Sequence, residues 1–321
     1  MKKKSVIIFS LTLTLGSIAI LYWVDIPGYN MLWREIGNAG HIPLFGIISV
    51  AILILSRTVL GKRISSAISH YAISFILTTG LGFFTEFLQW FTPRDADFWD
   101  IVRDMVGAFV SLGIILLINR KQFPVFDKSR VKKVMLLSSI VIVFGAGVSP
   151  VLAWAGGFLY RSANQPVICS FESIADNLFY KMHHGDIETV PSEKFFPKNS
   201  GQHSAKITLY AAKYPEFFFN EPYPDWSGYK AFIFEIYSPQ DTSFQLSIRI
   251  EDRHHKGAYQ DRFNYSFTVE PGNNMILIKC QDIKNAPETR PMNMTFISAF
   301  SIFAVNLKEP LFFYIDNITL Q

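Results

Sequence analysis

Cysteine is scarce in this sequence, with two residues, Cys169 and Cys280, among 321. They allow one disulfide at most, so bridges do not hold the chain together. Charge is scarce as well: 17% of residues are Asp, Glu, Lys or Arg while half are hydrophobic, too apolar for an ordinary soluble protein of this length. The net charge of +4 is small and falls on basic loops, which gives no reason to expect a nucleic-acid partner. There is no glycine-rich phosphate loop and no defensible Ser-His-Asp spacing.

The apolar excess is uneven. Up to about residue 160 the chain reads as long apolar runs; beyond it, charged and aromatic residues alternate with apolar ones. A bilayer core of roughly 30 Å needs about 20 mostly apolar residues per helix. Residues 5–24, 42–60, 66–91, 99–118 and 134–157 reach that length, and unpaired backbone is not tolerated in lipid, so each is predicted to be a helix. Lys2, Lys3 and Lys4 before the first run also suit a signal peptide, but YWVDIPG beyond it lacks the small-residue cleavage pattern. The expected organisation is residues 1–160 as a membrane domain of about five spans and 161–321 as an exported domain.

Basic residues set the orientation. Lys2 to Lys4, then Arg57, Lys62 and Arg63, then Arg120 to Lys133 fall at the N-terminus and on alternate loops, which places these inside. Loops 25–41 and 92–98 then face outward. An odd number of spans exports everything after about residue 158, with the N-terminus cytoplasmic.

One outward stretch, TEFLQWFTPRDADFWDIVRDMVG at 85–107, carries an unusual load of carboxylates. Glu86 and Gln89 lie three apart and share a face at the end of the third span. Asp100, Arg103, Asp104 and Gly107 lie on one face at the start of the fourth, where the helix dipole favours acids and a glycine permits close approach. Pro93 and Arg94 turn the chain into an antiparallel hairpin, with Arg94 and Arg103 as counter-ions. Two readings stand: intramembrane acids mark a functional site, or these groups tie two helices together by hydrogen bonds. His70, at the inner end of the third span, reads as an interfacial residue.

The order Glu86, Gln89, Pro93, Arg94, Asp100, Gly107, together with NAGHIPLFG and its His41 ahead of the second span, resembles the hairpin of the VanZ-like membrane family. The resemblance covers about residues 5–120. Asp104 is a departure, since that family usually has Asn there. A founding member associated with teicoplanin resistance implies a link to glycopeptide antibiotics, without an established reaction. The polar pocket so implied comprises His41, Glu86, Gln89, Arg94, Asp100, Arg103 and Asp104.

Beyond residue 160 the pattern is that of strands. In SFQLSIRIED, residues 243–252, Phe244, Leu246, Ile248 and Ile250 alternate with Gln245, Ser247 and Arg249, the period of a half-buried strand. Similar runs at 204–210, 229–237, 262–269, 274–280, 296–305 and 311–320, separated by turns such as Pro271-Gly272-Asn273-Asn274, predict one β-sandwich. Cys169 and Cys280 both fall in predicted strands. FESIADN, DWSGYKAFIFEIYSP, LSIRIEDR, DRFNYSFTVEPG, ILIKCQDI and YIDNITL, in that order, resemble a galactose-binding-like jelly roll of the carbohydrate-binding-module kind. Such modules often hold a structural calcium between a first-strand acid and a last-strand Asp, which carries that role onto Glu172 and Asp316.

A sugar site wants aromatic faces and paired polar groups. Trp226, Arg249, Asp252, His254, Tyr259 and Arg262 are the candidates, several of them gathered by the loop DRHHKGAYQDR. Trp226 and Tyr229 equally fit a core role, since large aromatics tend to bury their area. Adjacent histidines at 183–184 and 254–255 point to opposite sides of a strand, which argues against a metal site.

Two classes of function follow. One is an integral membrane protein of the bacterial envelope whose exported domain recognises a glycan, glycolipid or cell-wall ligand. The other is a membrane enzyme in which Glu86, Asp100 or Asp104 does acid–base work on an envelope lipid or peptide, with His41 nearby. No nucleophile is evident, which favours binding; a purely scaffolding role is the third reading.

Overall fold

The computed structural model describes residues 3–23, 30–91, 97–119, 129–193, 195–196 and 201–321. The chain divides into two compact units, 1–154 and 155–321. Among the described residues six helices come first: α1 Lys3–Trp23, α2 Met31–Ala39, α3 His41–Leu60, α4 Ala67–Gln89, α5 Phe98–Ile118 and α6 Arg130–Ala163. Five helical segments are long and apolar enough to cross a bilayer, with α2 and α3 counted as one continuous stretch.

Sequence reading missed α2, treating 25–41 as loop. It is nine residues long, starts at Asn30, whose side chain accepts from the Trp33 N–H at 3.1 Å, and has no fully buried residue. A short amphipathic helix in a polar stretch has none of the apolar length that marks a span. The last helix is longer than the expected 134–157, because basic residues at its start and polar ones at its end continue the helical backbone through 130–163.

Close approach within the helical unit depends on two glycines. A Cβ at Gly107 of α5 would lie 2.1 Å from the Ile42 carbonyl of α3, and one at Gly46 of α3 would lie 2.3 Å from Ser111 Oγ. Backbones can meet this closely only where both side chains are absent. His70 departs from expectation: it is buried, with Nδ1 2.7 Å from Ser56 Oγ and Nε2 3.1 Å from the Ile64 carbonyl.

Among the described residues of the second unit, eleven strands form two antiparallel sheets of a sandwich: β1 Val167–Cys169, β2 Tyr180–His183, β3 Gly185–Pro191, β4 His203–Leu209, β5 Glu216–Asn220, β6 Ala231–Ser238, β7 Phe244–Asp252, β8 Phe263–Val269, β9 Gly272–Lys279, β10 Ile297–Phe303 and β11 Leu311–Leu320. One sheet runs β3-β4-β11-β6-β9 with β1 also on β11; the other runs β2-β5-β10-β7-β8. His184, with φ 51°, carries the chain from β2 in one sheet to β3 in the other. Phe217, Phe219, Phe232, Phe234, Phe300 and Phe313 are fully buried and fill the core. Alternation then sends Glu216, Arg249 and Asn264 to the opposite side of the five-stranded sheet, where Arg249 faces Asn264 across β7 and β8.

Cys280 opens a short helix, α7 Cys280–Asn285, and is not in a strand. It and Cys169 are free and buried. Burial pushes the Cys280 thiol up to about 11 and the Cys169 thiol well above its usual range, so neither is a ready thiolate.

Candidate functional site

In the helical unit the expected polar groups converge. His41, the first residue of α3, places Nδ1 2.9 Å from Asp104 Oδ1 and Nε2 3.6 Å from Asp100 Oδ2. Arg103 Nη1 donates to Asp100 Oδ1 at 2.6 Å and lies 3.7 Å from Asp97 Oδ2, while its Nη2 lies 3.4 Å from Glu35 Oε2. Glu86 Oε2 accepts the Asp97 N–H at 2.9 Å, holding the start of α5, and Asp97 in turn caps that helix through the Trp99 N–H.

Among the described residues, two oxygens in this cluster lack partners: Glu86 Oε1 and Asp104 Oδ2 are both buried without a hydrogen bond. Asp104 Oδ2 rests on the bare backbone of Gly82, where a Cβ would come within 2.5 Å, and Glu86 follows one turn later on the same helix. Gln89 is buried beside them. Pro93 and Arg94 lie outside the described residues. Glu35, on α2, was not a candidate from sequence; the Asn30 cap and the following WREI were the available signal.

In the sandwich, three of the six expected sugar-site residues come together. Arg249, Tyr259 and Arg262 line a groove of about 440 Å³ on the solvent side of the five-stranded sheet, along with Tyr214, Glu216 and Phe303. This size is typical of small-molecule sites. Glu216 is shared, its Oε1 2.8 Å from His183 Nδ1 and its Oε2 2.9 Å from Arg249 Nη2. Arg249 Nε is buried with no partner among the described residues. Arg262 donates through Nε to Asn264 Oδ1 at 3.0 Å and lies over the Tyr259 ring, 5.5 Å from its centroid. Burial, and then the neighbouring Arg249 charge, lower the Arg262 pKa from its ordinary value. Tyr259 is 66% exposed and offers a ring to stack upon.

The other three sit elsewhere. Trp226 is 0% exposed; its ring stacks on Phe232 at 4.9 Å and its Nε1–H donates to the Tyr223 carbonyl at 2.6 Å, so no face is left for a sugar. Asp252 is buried in an ion pair with Arg290, whose Nη2 donates to Oδ1 at 2.7 Å while Nη1 meets Oδ2. The backbone N–H groups of His254 and Asn293 also donate to Asp252. Burial pushes the Asp252 carboxyl up, but the Arg290 bonds and these N–H groups outweigh it and hold the pKa below the usual range. Arg290 also donates to Asp261 at 2.7 Å, which fastens the loop carrying Tyr259 and Arg262. The role of Arg290 was invisible in sequence, since its partners are remote along the chain. His254 contributes its backbone to that loop and faces Asn293, not the groove.

Calcium fares differently. Glu172 Oε1 accepts the Gln202 and His203 N–H groups at 2.6 and 2.7 Å, and Oε2 lies 2.9 Å from His203 Nδ1. Its carboxylate is thus occupied, and burial, outweighed by these bonds, leaves its pKa lowered. Asp316 is 0% exposed, accepts the Asn317 N–H through Oδ1 at 2.7 Å, and leaves Oδ2 without a partner; Asp176 Oδ2 is likewise orphaned. Among the described residues no three His, Cys, Asp or Glu groups converge as a metal site. Calcium also takes backbone carbonyl and water oxygens, so the role at Glu172 and Asp316 stays a proposal. Burial pushes Asp316 up to about 8 and Asp176 up to about 6.

No protein-family model matches the chain, and comparison with curated proteins finds no match. Solved structures do resemble its C-terminal part. A family 11 carbohydrate-binding module from Clostridium thermocellum, in complex with a β-1,3-1,4-mixed-linked tetrasaccharide, is 17% identical over 48% of this chain and 94% of its own, with a TM-score of 0.37. A family 30 carbohydrate-binding module of a Clostridium thermocellum cellulosomal cellulase is 10% identical over 44% and 90%, with a TM-score of 0.33. An exo-β-agarase is 15% identical over 44% of this chain and 22% of its own, with a TM-score of 0.36. The class defined by the sheets and helices is a helical unit with membrane-length apolar helices followed by an antiparallel β-sandwich.

Proposed function

We propose that this chain is a multi-pass protein of the bacterial cytoplasmic membrane that presents its β-sandwich outside the cytoplasm to bind a glycan. The groove on the five-stranded sheet carries this reading. It combines an exposed tyrosine ring, an arginine resting on that ring, and a second arginine braced by Glu216, the mix of stacking face and fixed polar groups that saccharides require. Residues 1–160 are the membrane domain and 161–321 the exported domain in this proposal. The VanZ-like likeness of residues 5–120 supports a tie to the cell envelope and, through its founding member, to glycopeptide antibiotics. The cluster of His41, Glu86, Asp100, Arg103 and Asp104, joined by Glu35, would sit near the outer membrane surface and contact a lipid-linked ligand.

A glycan-array screen of the full chain in detergent micelles tests the recognition reading: a defined saccharide class is expected to be retained, and the absence of any hit from cooperatively melting protein would contradict it. Orientation has a separate check. A single cysteine introduced at Ser173 is expected to react with a membrane-impermeant maleimide on intact protoplasts, and protection until lysis would reverse the assigned topology.

A further inference from the structure

Resting on the reading of this groove as a glycan site, we infer that its ligand is an acidic saccharide, one that carries a carboxylate or a phosphate among its neutral hydroxyls. A neutral sugar both donates and accepts through every hydroxyl, so a site for it balances donors with acceptors. This groove does not. Its carboxylate, Glu216, has Oε1 committed to His183 and Oε2 to Arg249. The donors remain in surplus. Arg249 Nε–H is buried and unpartnered, and Arg262 spends only Nε on Asn264, leaving its two terminal nitrogens without a carboxylate among the described residues.

Position strengthens the point. Arg249 stands directly across from Asn264, the residue that fixes Arg262, so both guanidinium groups open on the same stretch of sheet. The Arg249 charge disfavours the Arg262 cation more than either Glu251 or Glu216 favours it, so an added anion here would be welcomed. Guanidinium forks match the planar carboxylate and the phosphate equally well, so these are the two chemistries the groove accepts. Tyr259 and Phe303 then supply ring faces for the uncharged part of the sugar.

The test is calorimetric titration of the full chain in uncharged detergent micelles against three probes: an oligogalacturonate, a phosphorylated mannan oligosaccharide and a neutral mixed-linked glucan oligosaccharide. At least one acidic probe is expected to bind about tenfold or more tightly than the neutral one, and to weaken as salt rises from about 50 to about 500 mM. Comparing the uronate with the phosphate identifies which anion is the source. Arg262→Gln is expected to abolish the acidic preference while leaving the melting temperature within a few degrees; an acidic preference that survives this change would overturn the assignment. Should that variant fail to fold, the salt dependence and the neutral comparison on the unaltered chain decide the matter alone. Equal or tighter binding of the neutral probe, insensitive to salt, would overturn the acidic inference and leave glycan recognition standing. No binding of any saccharide by folded protein would overturn both.

Discussion

Replacing Asp316 by Asn is expected to stabilise the sandwich, and by more at pH 8 than at pH 5. Asp316 is buried with one carboxylate oxygen unpartnered among the described residues, and the nearby Glu172 and Glu235 charges add to its burial in favouring the protonated form. In the unfolded chain an aspartate ionises near pH 4; in the folded sandwich burial moves the group up to about 8. Between those values the unfolded chain has released a proton that the folded state retains. Stability contributed by the protonated group is therefore complete below about pH 4, declines by about 1.4 kcal/mol for each pH unit toward 8, and levels off above it. Asp176, raised to about 6, steepens the lower half of that range. Asn keeps the acceptor for the Asn317 N–H and carries no charge, so the gain at pH 8 is expected to be on the order of 2 to 5 kcal/mol. Thermal melts of the full chain in micelles, followed by near-ultraviolet circular dichroism from pH 4 to 9, read this directly. Flat stability across that range, or a melting temperature that Ca²⁺ raises at pH 8 in the unaltered chain but not in Asp316→Asn, would show a bound cation in place of a proton.

Trp226→Ala is expected to destabilise the sandwich by about 3 to 5 kcal/mol, the cost of emptying a fully buried aromatic site. Trp226 stacks on Phe232, which packs in turn on Phe234 and Phe300, so the void opens in the middle of the aromatic core. The indole N–H also leaves the Tyr223 carbonyl without its donor. A tryptophan that stacked on sugar would behave in the opposite way, losing affinity at constant stability. Denaturant titration of the variant separates the two, and an unchanged midpoint would remove Trp226 from the core.

What could be read in advance follows from how local each signal is. The β7 strand is legible because Phe244, Leu246, Ile248 and Ile250 alternate with polar residues, and the same alternation puts Arg249 on the solvent side. The β5 strand did not, because EFFFN is a continuous apolar run with no period to detect, and it was missed although its Glu216 braces the groove. Strands β2 and β3 were missed because the chain changes sheets at His184, which breaks the pattern after a few residues. In the helices, Gly107 was legible as a point of close approach and meets the Ile42 carbonyl. Glu35 and Arg290 were not legible, since each acquires its role from residues far along the chain, Arg103 in one case and Asp252 in the other. Arg249, Tyr259 and Arg262 could be named because their loop and strand are adjacent in sequence; Asp252 looked equivalent until its burial against Arg290 removed it.

The central claim is that the groove over β7 and β8 binds a saccharide, and the most direct measurement is the affinity of the full chain and of Tyr259→Ala for the strongest array ligand. Tyr259 is exposed, so its loss is expected to leave the melting temperature unchanged and to weaken binding at least tenfold, the loss of a stacking face. Affinity that is unchanged in a folded Tyr259→Ala variant would place the ligand elsewhere on the molecule and contradict the account.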